Sequence, residues 1–131
     1  MIVDTLGLVL MVLVHPADIQ DRDGARLLTE QLKCGLPRLR MLFADGGYAG
    51  QLVDWFWESV RWTLTIVKRT ADVGFHVLPK RWIVERTFAW ITQYRRHSRD
   101  YEELPASSEA MIYISMIRLM LRRAGRRHVK V

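Results

Sequence analysis

The sequence predicts a mixed α/β sheet with helices on its faces. Two observations carry that expectation. Apolar runs of strand type alternate with stretches of helical period, in the order hairpin, helix, strand, helix, strand. The run Leu39–Gly50 (LRMLFADGGYAG) then stops an apolar segment abruptly at one carboxylate. With 131 residues, half of them hydrophobic, the chain suits a single domain able to bury a real core.

In chain order, Met1 to Thr5 and Leu8 to Val14 are rich in Val, Ile and Leu and flank the turn residues Asp4-Thr5-Leu6-Gly7, the pattern of a β-hairpin. The chain thus begins inside a sheet, which leads us to expect a further piece upstream. The opening run lacks a basic start and is interrupted by Asp4 and Gly7, unlike a signal peptide, and it is too short to span a bilayer. His15-Pro16 ends the second strand, and 17–24 (ADIQDRDG) reads as a polar loop. Its acids Asp18, Asp21 and Asp23 do not match the spacing of a calcium loop and are left as loop and cap residues. Ala25, Leu28 and Leu32 recur at helical spacing, and Gly35 with Pro37 closes that helix.

Met41, Leu42, Phe43 and Ala44 have the character of a strand buried on both faces, followed by a sharp turn at Gly46-Gly47. Asp45 therefore falls at a strand's carboxyl end, where open α/β sheets gather ligands and catalytic groups. Capping the turn is the plainer role for it, and both roles stand. From Gln51 to Ser59, Leu52, Val53, Phe56 and Trp57 share one region of a short helix, with Trp55 and Trp57 read as core. Arg61 to Val67 alternates with period two, as a half-exposed edge strand does.

After a linker at 68–79, a helix is expected from Lys80 to about His97. Arg81, Glu85 and Phe88 share a stripe on it, and Trp82, Ile83, Phe88, Trp90 and Ile91 supply its buried surface. Taken alone, Glu85 reads better as a surface ion pair with Arg81. The run 100–105 breaks the helix, and Ser107, Ser108 and Glu109 signal the start of the last one, with Ala110, Ile114, Ile117 and Leu121 as its packing stripe.

Twenty Lys+Arg against fourteen Asp+Glu give a net charge of +6, which favours a polyanionic partner and nucleic acid first. The positive charge concentrates at Arg95, Arg96 and Arg99, and in a basic tail, 122–131, that holds Arg122, Arg123, Arg126, Arg127 and Lys130 and is expected to be disordered alone. Such segments suit phosphate contacts, although charge runs are commonly solvated faces. The single Cys34, read as a packing residue, excludes an internal disulfide and a cysteine-based zinc site.

The blocks FADGGYAG and KRWIVERTFAWITQYRRHSRDYEELP, with VDTLGLVLMVLVHPADIQDRDGA before them, agree in order with one family. Over nearly its whole length the chain resembles the DDE transposases of bacterial insertion sequences, in the insertion-sequence-five-like group. The resemblance implies a ribonuclease H-like mixed sheet, of which 1–131 is a single partial catalytic domain lacking the first, central strand. It implies three carboxylates holding two Mg²⁺ or Mn²⁺ ions, which activate the attacking oxygen and stabilise the leaving one in an in-line displacement at phosphorus. By position Asp45 matches the second acid, Glu85 the third and Arg81 the Arg four residues before it. The pattern's first acid falls upstream of Met1, and its further Tyr and Lys are replaced by Leu78 and Thr92, so Arg95 or Arg96 stands in for the lysine.

The implied function is metal-dependent cleavage and strand transfer of insertion-sequence ends. The implied partners are double-stranded DNA, further copies of the chain or a full-length transposase, and no membrane; the implied place is the cytoplasm, on the nucleoid when DNA is bound. With one acid missing, the chain alone is expected to bind Mg²⁺ weakly, to show no appreciable strand transfer and to self-associate. A non-catalytic DNA-binding or regulatory fragment is the alternative.

Overall fold

The computed structural model describes residues 1–33, 35–67, 80–99 and 101–128, with the side chains of 127 and 128 excepted. The expected linker at 68–79, Leu78 within it, the packing role of Cys34 and the tail end with Lys130 lie outside the described residues. The chain divides into two compact units, Met1–Val14 with Ile83–Val131, and His15–Trp82. Among the described residues no helix is long and apolar enough to cross a membrane.

The unit His15–Trp82 is a parallel βαβ element with one more helix. Helix α1 (Asp21–Lys33) leads to strand β3 (Met41–Asp45), helix α2 (Gln51–Val60) and strand β4 (Thr63–Val67). Strands β3 and β4 pair in parallel from Met41↔Thr63 to Asp45↔Val67, and the Thr63 amide extends the ladder by donating to the Arg40 carbonyl at 2.8 Å. Helix α1 begins four residues earlier than the loop reading placed it. Asp21 and Asp23 stand in its first turn, where carboxylates complement the helix dipole. Buried Leu28 and Leu32 of α1, Leu52, Phe56 and Val60 of α2, and Trp62 and Leu64 form this unit's apolar interior.

Strand β3 is not buried on both faces. Met41, Phe43 and Asp45 are exposed and Leu42 and Ala44 half-buried, so one face packs and the other does not. Lys80 holds its ammonium 3.3 Å from the Phe43 ring centroid, a cation–π contact that partly covers that outer face. Trp57 is likewise exposed instead of core, with the Arg61 guanidinium 5.8 Å from its ring, while Trp55 is half-buried.

The other unit joins a hairpin to two helices. Strands β1 (Ile2–Val3) and β2 (Val9–Met11) pair antiparallel over a shorter span than their apolar runs, with an irregularity between Ile2 and Val3. The turn is built by Asp4, whose Oδ1 accepts from the Leu6 and Leu8 amides, both at 2.8 Å. Gly7 completes it at φ +78°, where a Cβ would meet Thr87 Oγ1 at 2.9 Å. The two strand pairs form separate two-stranded sheets in place of the single mixed sheet expected from the pattern. Among the described residues, no strand joins them.

Helix α3 (Arg81–Thr92) ends five residues short of His97, and a 3₁₀ turn follows at Arg95–His97. Its buried residues are Ile83, Thr87 and Ile91, at i, i+4 and i+8. Trp82 and Phe88, expected inside, are exposed, and Trp90 is half-buried between the Arg86 and Arg123 guanidinium groups, 4.8 and 4.2 Å from its ring. Thr87 is fully buried, and its hydroxyl donates to the Gly7 carbonyl at 2.7 Å with the Ile83 carbonyl at 3.0 Å.

Helix α4 (Pro105–His128) is continuous through the basic segment, so 122–128 is helical instead of a disordered tail. Val9, Val12, Ile91 and Met116 make the core of this unit, ringed by Met1, Val3, Leu8, Ile112, Tyr113 and Leu119. Polar ties fix the hairpin to α4: the Val12 amide donates to Tyr113 Oη at 3.1 Å and the Val14 amide to Glu109 Oε1 at 2.8 Å. The inward side of α4 is therefore not the stripe Ala110, Ile114, Ile117 and Leu121, all four of which are exposed.

Candidate active site

Asp45 closes β3, and its carboxylate is exposed. Its Oδ1 accepts from the Gly47 amide at 3.0 Å and so caps the 3₁₀ turn Gly46–Tyr48. The capping role read from Asp-Gly is real, and it coexists with the strand-end position. Gly46 and Gly47 are not the residues whose backbone demands glycine; that is Gly50, at φ +97°. Gly47 instead contributes closeness, since a Cβ there would lie 3.2 Å from Asp45 Oδ1.

Two residues that the sequence reading left without a role belong to this corner. Tyr48 is half-buried, and its hydroxyl pKa is raised first by burial, then by the carboxylates of Asp21 and Asp45. Negative charge from the first turn of α1 and from the end of β3 thus acts on one phenol. The cluster of acids in ADIQDRDG was the available signal for Asp21. Its three acids give no spacing that selects one of them, because only the start of α1 decides which faces β3.

Glu85 stands on α3 with Arg81 one turn before it and Phe88 one turn after, and all three are exposed. Glu85 belongs to the unit that holds the hairpin, whereas Arg81 and Asp45 belong to the unit His15–Trp82. Thr92, at the position where the family pattern has a lysine, ends α3 and donates to the Ala89 carbonyl at 3.2 Å. The nearest following cations are Arg95 and Arg96, in the 3₁₀ turn that comes next.

That turn is anchored to α4. His97 Nε2 lies 2.8 Å from Ser115 Oγ, and Tyr94 Oη donates to the Ser115 carbonyl at 3.4 Å. Arg95, Arg96 and Arg99 are exposed, and Arg95 and Arg96 line a cleft of about 300 Å³ with Tyr101. Arg96 is already engaged with Glu102, its Nη2 at 2.8 Å and its Nε at 2.9 Å from Oε1. Of the tail residues, Arg122 and Arg126 are exposed, Arg123 is half-buried over Trp90, and the Arg127 side chain and Lys130 lie outside the description.

The donor chemistry of Asp45 and Glu85 fits a hard divalent cation, which takes oxygen ligands. Both groups are exposed and reachable by a hydrated ion. Among the described residues, no group of three His, Cys, Asp or Glu side chains is placed to hold a metal.

Comparison with known proteins gives one family. The model of the transposase DDE domain matches residues 1–120, a span that contains Asp45, Arg81, Glu85 and the arginines of the 3₁₀ turn and stops short of Arg122. No curated protein and no solved structure matches the chain. A match over 120 of 131 residues, on a mixed α/β chain with a carboxylate closing a parallel strand, makes the protein a member of the transposase DDE domain family.

Proposed function

We propose that this chain acts in DNA transposition of the insertion-sequence-five-like kind, with Asp45 and Glu85 as two of the carboxylates of a divalent-metal site on a ribonuclease H-like frame. The observation that carries the reading is the position of Asp45 at the C-terminal end of a parallel strand, on the edge where such sheets assemble their sites. Glu85, exposed on α3 one turn after Arg81, is the second ligand, and Arg81 orients Glu85 or a phosphate. Mg²⁺ or Mn²⁺ bound there supplies Lewis-acid stabilisation of the charge that develops at phosphorus. Asp45 and Glu85 hold the ion and neutralise it in part.

Double-stranded DNA is held by its phosphates at Arg95, Arg96, Arg99, Arg122, Arg123, Arg126, Arg127 and Lys130, a sequence-independent mode whose strength falls steeply with salt. Arg96 gives part of its charge to Glu102, so Arg95 and Arg99 carry more of the binding. No residue of 1–131 is assigned here as the first acid of the family pattern. Asp4 spends its Oδ1 on two amides of the hairpin turn and is no substitute. With two acids assigned, our reading is that residues 1–131 tested by themselves do not cleave DNA. A non-catalytic reading, in which the chain binds DNA or regulates a complete transposase, is favoured by the exposed arginines beside the cleft at Arg95, Arg96 and Tyr101.

The test is a cleavage and strand-transfer assay on the element's DNA ends with Mg²⁺ or Mn²⁺. It is run with the chain alone and mixed with a complete transposase, beside a DNA-binding titration across salt. Salt-sensitive binding without cleavage by the chain alone is the expected result. Robust cleavage by the chain alone that survives Asp45→Ala and also survives Glu85→Ala removes both acids from the mechanism.

A further inference from the structure

The arginines of the 3₁₀ turn and those of the C-terminal half of α4 lie far apart in the sequence, and the fold of the hairpin unit makes them neighbours. His97 Nε2 and Tyr94 Oη, at 2.8 Å from Ser115 Oγ and 3.4 Å from the Ser115 carbonyl, fasten the turn Arg95–His97 to α4 at Ser115. From Ser115 onward Arg118, Arg122 and Arg126 follow at steps of three, four and four residues, a single stripe of the helix, and all three are exposed. No Asp or Glu follows Glu109 in the sequence, so the stripe is met by no acid of its own helix beyond that point.

Two aromatic rings hold guanidinium groups of α4 in place. The Arg118 guanidinium lies 5.5 Å from the Tyr94 ring centroid and the Arg123 guanidinium 4.2 Å from that of Trp90. Trp90 is itself fixed: Arg86 stacks 4.8 Å from its centroid, and Arg86 Nη2 donates to the Leu6 carbonyl of the hairpin turn at 2.8 Å. A guanidinium stacked on a ring keeps its full charge, and its planar N–H fork suits the oxygens of a phosphate in a way a lysine ammonium does not.

We propose that Arg95, Arg118, Arg122 and Arg126 form one continuous track for consecutive phosphates of a single DNA strand, with Tyr94 and Trp90 as positioning residues that hold Arg118 and Arg123 along it. From Ser115 to Arg126 the track runs about 16 Å at about 1.5 Å per residue, which is about five nucleotides of one strand at about 3.4 Å each. Arg96, drawn to Glu102 at 2.8 Å, stands beside the track and not in it. The inference rests on the DNA-binding reading above and adds to it a contact at Arg118, two aromatic supports and a footprint.

The experiment titrates residues 1–131 with a fluorescent duplex of about ten base pairs, one helical turn, over a series of salt concentrations. One duplex per chain is expected. Arg118→Ala is expected to weaken binding and to reduce the slope of log affinity against log salt by about 0.9, the value of one phosphate. Tyr94→Leu leaves every arginine in place and is expected to reduce the slope as well, whereas Tyr94→Phe keeps the ring and is expected to keep the slope. Far-ultraviolet circular dichroism checks the helices of each variant, and Arg118, being exposed, carries the test whatever Tyr94→Leu does to folding. No binding at low salt overturns the DNA-binding reading and the track with it. Binding whose slope is unchanged in Arg118→Ala or in a folded Tyr94→Leu, a Tyr94→Phe that loses as much as Tyr94→Leu, or more than one duplex per chain overturns the track while the DNA-binding reading stands.

Discussion

The two units of this protein bury their helices by different rules. In His15–Trp82 each helix has one main apolar stripe, Leu28 and Leu32 on α1 and Leu52, Phe56 and Val60 on α2, and that stripe is the buried one, with single residues such as Leu27 and Trp57 exposed beside it. In the hairpin unit α3 and α4 carry apolar residues on more than one side, and the stripe taken inward is the one the hairpin meets: Ile83, Thr87 and Ile91, and Ile112, Met116 and Leu119. Periodicity tells which residues share a side. It tells which side is inward only where a single side is apolar.

The contrast is broken most severely by emptying the single-stripe unit. Phe56 is 2% exposed. Phe56→Ala is expected to cost about 3–5 kcal/mol, as deletion of a buried aromatic does, read as a shift in the denaturation midpoint. A loss below about 1 kcal/mol would mean that α2 does not hold this unit together.

Neighbouring residues on α4 sharpen the comparison. Met116, 2% exposed in the core, and Ile117, half-exposed beside it, are about 100° apart around one helix, one inside and one outside the packed side. Met116→Ala is expected to cost about 2–5 kcal/mol. Ile117→Ala, measured at concentrations where the chain is monomeric, is expected to stay within about 0.5 kcal/mol. Equal costs would return Ile117 to the packing stripe assigned from spacing alone.

The polar seam between hairpin and α3 comes next. Thr87→Val keeps the shape but leaves the Gly7 carbonyl without its 2.7 Å donor, and about 1–3 kcal/mol of destabilisation is expected by urea titration. An unchanged midpoint would show that Gly7 finds another partner.

The smallest effect concerns the corner at Asp45. Burial and the charges of Asp21 and Asp45 hold the Tyr48 hydroxyl above its ordinary value of 10.0, so the folded chain keeps this proton where the unfolded chain has lost it. Stability from this source is complete below pH 10 and declines as pH rises through the raised value. Stability measured from pH 8 to 11 is expected to fall less steeply in Tyr48→Phe than in the unsubstituted chain. Parallel curves would place the phenol in water in both states.

Much of this was legible in the sequence. The order of elements, the strand end at Asp45, the alignment of Arg81 and Glu85 along one stripe of α3 and the turn at Asp4 to Gly7 follow from local rules of period and turn chemistry. The outer faces were not. Met41, Phe43, Trp57, Trp82 and Phe88 have core-like side chains and stand exposed, because burial depends on what lies opposite an element and a single sequence does not say. Tyr48 and Asp21 were illegible for a related reason. Their association with Asp45 arises from the packing of α1 against the turn after β3, a contact between segments distant along the chain.

The proposal that Asp45 and Glu85 are ligands of a divalent ion is tested most directly by Mn²⁺ binding followed by electron paramagnetic resonance in a double-substitution cycle. Asp45→Asn and Glu85→Gln are each expected to remove most of the bound-ion signal, and the pair to remove no more than either alone, since one ion cannot be lost twice. Additive losses, or a signal untouched by either substitution, would contradict the shared site.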